Sequence, residues 1–320
     1  MRANGISYDT GWVIGKELGR PGFTRAAVER DLRVIRDELH CTAVRVMGGD
    51  PDRLTLAASI AADLGLEVWF SPYPLELTED EMLALFAECA GRAEALRRRG
   101  AEVVFVTGAE LSLMNRDFLP GDDVAQRVAG MRANLGTVRA RVNEFLARAV
   151  ALVRERFGGR VTYAAVPFEQ VDWAIFDIVS LDLYRSAAIA DRFAEGIRTL
   201  VAQGKPVAIT EFGCATYRGA ADRGAEALDI VEYDPVTRAP LRLTGNHDRD
   251  EAEQARYLRE VLAEFDAGGV DSTFVFSFAL FDFAGELDLA SYGIVRVAGD
   301  GRDERWEPKE AFAAVAEAYA

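Results

Sequence analysis

Eight short apolar runs, separated by stretches of helical periodicity, constrain the fold more tightly than any other feature. They fall at residues 4–11, 42–46, 67–73, 102–107, 161–165, 178–184, 207–209 and 272–278. Each is rich in Val, Ile, Phe and Tyr and is too short for a helix. Most end in a polar or glycine-containing cluster, such as Met47-Gly48-Gly49 and Gly108-Ala109-Glu110. Between them the period changes. Over 24–39, Val28, Leu32 and Ile35 recur on one side and Arg25, Glu29, Arg33 and Asp37 on the other, which predicts an amphipathic helix. Further helices are predicted over 51–64, with Pro51 in the first turn, and from Thr78, with Asp80 and Glu81 behind it, to about 99. Others are expected over 124–157, 190–203 and 308–319. The fifth and sixth runs leave room only for a turn around 168–175.

Strands alternating with helices build parallel βαβ units, whose strands read as continuously hydrophobic because both faces are covered. The open alternative is a doubly wound sheet. No glycine-rich phosphate loop follows the first run, so the closed form is favoured. The expectation is an α/β chain forming a (β/α)8 TIM barrel, with residues 1–320 as a single domain, a size such barrels commonly have. One piece exceeds a minimal barrel. Residues 214–248 carry two extended runs, 229–233 and 239–243, around an Asp234-Pro235 turn. A hairpin or lid over the barrel mouth is expected there.

A net charge of −15 argues against nucleic acid or an anionic membrane as partner. No apolar stretch is long enough to span a bilayer, and the N-terminus lacks a signal-peptide layout. Cys41, Cys89 and Cys214 are odd in number and widely spaced, without a metal-ligand pattern. A reduced, cytoplasmic setting is the simplest reading, with no metal and no organic cofactor. Asp282, Glu286 and Asp288 read as a solvated acidic loop, and His247 as a solvated loop residue.

Active sites of (β/α)8 barrels lie at the C-terminal ends of the strands. Two glutamates stand there: Glu110 after the fourth run and Glu211 after the seventh. Three βα units apart, they are expected to face each other across the mouth. Retaining glycosidases need such a pair, one carboxylate to attack the anomeric carbon and one carboxylic acid to assist departure, roughly 5–5.5 Å apart. Arg45, inside the second run, cannot be buried unpaired and is expected to hold Glu211 ionised. Tyr184 is expected to donate a hydrogen bond to it. Tyr8 and Asp9 at the end of the first run, Tyr73 after the third and Phe278 after the eighth are expected to contact substrate. Trp12, Tyr217, Phe281 and Phe283 are further aromatic candidates for a pocket lining.

Several motifs resemble the large retaining glycoside hydrolase clan built on (β/α)8 barrels, the superfamily of cellulases and β-galactosidases. They are Thr210-Glu211-Phe212-Gly213 after Lys205-Pro206, the strand-two Arg45, Ser180-Leu181-Asp182-Leu183-Tyr184-Arg185, residues 249–258, Tyr292-Gly293-Ile294-Val295 and residues 306–312. Their shared order along the chain carries the likeness. The resemblance implies Glu211 as nucleophile, Glu110 as acid/base and a small-molecule glycoside as substrate. The clan usually has asparagine before the acid/base and often tryptophan at the end of strand eight. This chain has Ala109, and Ser277 and Phe278, at those places. Two other readings keep the barrel: the same carboxylates serving a lyase or isomerase reaction, or a silent barrel that binds a small molecule or a protein.

Overall fold

The apolar runs form eight parallel strands in a computed structural model that describes residues 1–234 and 237–320. They are β1 Ala3–Asp9, β2 Ala43–Gly48, β3 Glu67–Pro72, β4 Val103–Ala109, β5 Arg160–Ala164, β6 Val179–Asp182, β7 Val207–Phe212 and β8 Ser272–Val275. The ladder runs β5-β4-β3-β2-β1-β8-β7-β6. A parallel bridge between Ala165 and Leu181 joins its ends, with the Ala165 amide donating to Ser180 O at 3.2 Å and the Asp182 amide to Ala165 O at 2.9 Å. The sheet is therefore a closed barrel, and closure leaves no edge exposed to another chain.

Side chains alternate along each strand, as the pleat requires. Ile6, Val44, Val46, Val68, Phe70 and Ile209 pack outward under the helices. Ala43, Trp69, Val104, Val106, Ala208 and Phe274 fill the interior. The Trp69 and Phe274 rings meet at 4.5 Å, so the barrel is plugged below its mouth.

The helices begin where capping chemistry places them. In Glu79–Arg98 the Thr78 side chain and Glu81 form a reciprocal capping box. In Pro51–Asp63, Asp50 accepts from the Arg53 amide at 2.8 Å and proline takes the first turn. Between β5 and β6 there are only two single 3-10 turns, Pro167–Glu169 and Trp173–Ile175. Lys205 fastens the second by donating to Trp173 O at 2.6 Å and Phe176 O at 2.7 Å.

Some boundaries differ from expectation. The eighth run stops at Val275, and the Phe276-Ser277 peptide is cis. Beyond it, the Phe276 and Phe278 amides still donate to Phe212 O and Ser7 O, while the carbonyls of Ser277 and Phe278 accept from Ile294 and Val295. The last helix starts at Glu310, because Trp306–Pro308 pairs antiparallel with Val295–Val297. Helix 190–203 is a 3-10 turn followed by Phe193–Val201. A small hairpin, Val13–Ile14 with Glu17–Leu18, had no sequence signal. In the 214–248 segment, Val231–Tyr233 pairs with Pro240–Leu243. Pro235, in the expected turn, lies outside the described residues.

Two expected substrate contacts are structural instead. Tyr8 points outward: its hydroxyl donates to Asp31 at 3.0 Å and accepts from Arg20 at 2.8 Å. Phe278 packs beside it, with centroids 6.2 Å from Tyr8 and 5.1 Å from Trp306. The period-2 pleat explains this, since Tyr8 shares parity with Ile6 and so faces the helices. Arg20 is fully buried and binds Glu304 through Nε at 3.0 Å to each oxygen, tying the C-terminal segment to β1. Removing one partner of a buried ion pair leaves the other charge uncompensated. Arg20→Met is expected to lose about 3–5 kcal/mol, seen as a lower urea midpoint at unchanged slope. Adding Glu304→Gln should recover part of the loss; a double variant as unstable as the sum of the singles would refute the ion-pair account.

Candidate active site

The turn after β4 is built to aim one side chain. The β4–β5 register slips between Val106 and Ala109. Gly108 follows at φ +81°, where a Cβ would meet the Leu111 side chain at 2.8 Å. Glu110 then sits at φ 46°, ψ 40°, in the left-handed region. A non-glycine residue there costs about 1–3 kcal/mol, and its neighbours must enforce it. They do. The Glu110 amide donates to Ala164 O at 2.9 Å, and the Leu111 amide to the Tyr163 hydroxyl at 2.7 Å. The Ser112 amide and hydroxyl donate to Glu169 Oε1 at 3.1 and 2.6 Å, while the Tyr163 hydroxyl donates to Glu169 Oε2 at 2.8 Å. Glu169 therefore locks the Glu110 turn to the segment after β5.

Glu211, near the end of β7, faces Glu110. One oxygen each of Glu110, Asp182 and Glu211 lies within 4.8 Å of the other two. Arg45 reaches up from β2, donating through one nitrogen to Glu211 Oε1 at 2.9 Å and Thr210 O at 3.0 Å, and through Nε to Ser71 Oγ at 3.1 Å. The same nitrogen is 3.9 Å from Asp182 Oδ1. The Tyr184 hydroxyl donates to Glu211 Oε2 at 3.3 Å. Tyr73 is buried beside the group, close enough to feel the charges of Glu211, Glu110 and Asp182. The spacing of three carboxylates would suit a cation. However, Arg45 already occupies one Glu211 oxygen and pairs with Asp182, supplying positive charge itself.

Their proton affinities differ. Burial pushes Glu110 well above the ordinary carboxylate range, and the charges of Asp182 and Glu211 push it further. Asp182 is also pushed well up, by burial and then by Glu211, with Arg45 opposing. The Thr210 hydroxyl favours ionised Asp182, but outside regular hydrogen-bond geometry: both Asp182 oxygens and Thr210 Oγ1 lack a full hydrogen bond. Burial raises Glu211 as well, but Arg45 and Tyr184 donate directly to it and oppose that rise. Among the described residues nothing donates a hydrogen bond to the Glu110 carboxyl. Of the three, Glu211 is best held as an anion and Glu110 as an acid.

Glu110, Glu211, Arg45, Tyr184 and Tyr73 thus come together. Asp9 stays outside the cluster, accepting from the Gly11 amide at 2.7 Å, and burial raises it to about 7. Tyr217 donates to Ala227 O, and Phe281 lies under the Arg20 guanidinium at 3.9 Å, so neither faces the mouth. Trp12, Phe283 and Phe276 do line it; Phe276, not Phe278, is the aromatic presented there. Asp288 is not a solvated loop acid: it is buried between Lys309 and Arg249, each at 2.8 Å. His247 is half-buried, its ring tilted against Tyr217 with centroids 5.0 Å apart. Cys214 is buried, and burial pushes its thiol up, away from nucleophilic use. Asp182 and Glu169 were not anticipated. An acid inside the sixth apolar run was the available signal for Asp182, because a buried arginine attracts acids from several strands.

No protein-family model matches the sequence, and no curated protein sequence matches it significantly. Solved structures do match in three dimensions. A GH113 beta-1,4-mannanase superposes with TM-score 0.63 at 18% identity, over 99% of this chain and 98% of the other. The GH113 beta-mannanase AaManA from Alicyclobacillus acidocaldarius gives 0.60 at 16% identity, over 99% and 96%. The fold is the one those enzymes use. An aphid myrosinase shares it too, with TM-score 0.58 at 11% identity, over 98% and 97%.

The buried acid behind the Glu110 turn has a consequence for stability. Burial outweighs the hydrogen bonds that favour the anion and raises Glu169 from 4.5 to about 7. A carboxyl raised in the folded state stabilises below its unfolded value and loses that contribution as pH rises through the folded one. Unfolding free energy should therefore fall between pH 4.5 and 8, and Glu169→Gln should reduce that fall by up to about 3 kcal/mol. Urea titrations at the two pH values measure it; an unchanged fall would mean Glu169 is ionised in the fold.

Proposed function

We propose that the protein is a retaining glycoside hydrolase in which Glu211 is the nucleophile and Glu110 the acid/base. The observation carrying this reading is the Glu110 and Glu211 separation of at most 4.8 Å between nearest oxygens, on opposite sides of a barrel mouth and in unlike environments. Inverting enzymes hold their carboxyls roughly 6.5–9.5 Å apart to admit a water, whereas direct attack needs roughly 5–5.5 Å. The likeness to mannanases and a myrosinase supports the reading at the level of fold.

In the first step Glu211 Oε attacks the anomeric carbon and the bond to the leaving oxygen breaks. The Glu110 proton passes to that oxygen, leaving a glycosyl ester on Glu211 and Glu110 ionised. In the second step water gives a proton to Glu110 and its oxygen attacks the anomeric carbon, releasing the sugar and restoring both carboxyls. Arg45 and Tyr184 lower the affinity of Glu211 for a proton and orient its carboxylate, Arg45 through Oε1 and Tyr184 through Oε2. Asp182, buried without a full hydrogen bond of its own, adds negative charge beside Glu110 and favours its protonated form.

Incubation with 2-deoxy-2-fluoroglycosyl fluorides and peptide mass mapping tests the reading. An adduct on Glu211 is expected; no adduct across a panel of sugars, with any glycosidase activity unchanged in Glu211→Gln, would overturn it. Glu110→Gln should cost roughly 10²–10⁴ in kcat/KM on poor leaving groups and much less on activated ones. Asp182→Asn removes a like charge from Glu110, so the basic limb of the pH–rate profile should move to lower pH. A limb that stays in place would show that Asp182 does not couple to the acid.

A further inference from the structure

Beside the carboxylates lies a cavity of about 510 Å³, within the range that encloses a drug-sized group. Its walls come from separate parts of the chain: Trp12 beside the small N-terminal hairpin, Tyr73 and Leu75 after β3, Met114 after the Glu110 turn, and Phe276 and Leu280 after β8. The Val231–Tyr233 and Pro240–Leu243 hairpin covers it, contributing Tyr233 and Pro240. The charged residues at its edge are Glu17, Asp282 and Arg238, the last 3.7 Å from Asp123.

The polar groups left without partners lie elsewhere. Asp182 Oδ1 and Oδ2, Thr210 Oγ1, one Arg45 nitrogen and Ser7 Oγ are buried without hydrogen bonds in and below the carboxylate cluster. Two side chains join the regions. Tyr73 packs on Trp12 at 4.9 Å within the cavity wall and lies in the field of the three carboxylates. Phe276 packs on Tyr292 at 6.1 Å, which packs on Tyr184 at 5.7 Å, and Tyr184 donates to Glu211. The site is thus divided into a polar end, where Glu110 and Glu211 sit over buried polar atoms without partners, and an apolar end walled mainly by carbon. A second or third sugar in the cavity would set hydroxyls against carbon without partners, which is costly.

We propose that the substrate is a small glycoside with a bulky apolar aglycone, the sugar at the carboxylates and the aglycone in the cavity under the hairpin. This rests on the glycosidase reading for the sugar end only. The test has two independent arms. In the first, alkyl glycosides from methyl to hexyl are compared, using the sugar that labels fastest as its fluoride. The expected gain in kcat/KM is roughly two- to fourfold per methylene. A flat series, or better turnover of a β-1,4-linked oligosaccharide, would overturn the proposal. The second arm measures saturable binding of free 2-naphthol by equilibrium dialysis in the wild type and in Leu75→Asp and Leu18→Asp. These positions are half-buried and exposed, so both variants should fold, which circular dichroism checks. At least fivefold weaker binding in both is expected. Binding lost in the variants without any fluoride labelling keeps the apolar site and fells the glycosidase reading. Labelling with a flat series and no naphthol binding does the reverse.

Discussion

One buried guanidinium stands against three clustered carboxylates, two of them buried and Glu110 half-buried, and the mouth of the barrel is arranged around that imbalance. Arg45 has no exposed side-chain surface, yet it lies within ion-pair distance of Glu211 and Asp182. A charge so placed is tolerable only if its partners are fixed. Ser71, the Thr210 carbonyl and the register of β2 against β3 hold it in place. Because one cation cannot neutralise three anions at this depth, at least one acid is favoured to keep a proton. Glu110, whose carboxyl receives no donor among the described residues, is the natural holder.

The same economy appears in the turn that carries Glu110. The left-handed backbone is strained in isolation and persists because Ala164, Tyr163 and Glu169 bind its successive amides. Glu169 never faces the mouth, yet it connects the protonation of a buried acid to the position of a candidate catalytic one. Strain of this kind concentrates at functional sites and is sustained by the rigid scaffold around it.

How much could be read without coordinates depends on the range of the forces involved. Strand and helix identities follow from local periodicity and capping, so Val28, Leu32 and Ile35, or Thr78 with Glu81, were legible. Glu110, Glu211 and Arg45 were legible as candidates because polar residues at the ends of apolar runs, or inside them, stand out. Tyr8 and Phe278 were misplaced for one reason: a strand end can face the mouth or the helices, and only pleat parity and the path after Val275 decide which. Asp182 hid inside an apolar run and Glu169 inside a turn; their importance comes from partners far away in sequence.

The sequence by itself determined the barrel: eight continuously apolar runs, separated by amphipathic segments, have few other ways to bury themselves. It also determined which acids stand at strand ends. Only the tertiary structure decided that three carboxylates share one arginine, that Phe276 rather than Phe278 lines the mouth, and that an apolar cavity lies under the hairpin. Those outcomes depend on side-chain direction and on contacts between residues a hundred or more positions apart, where closure of the barrel, not local preference, sets the distance.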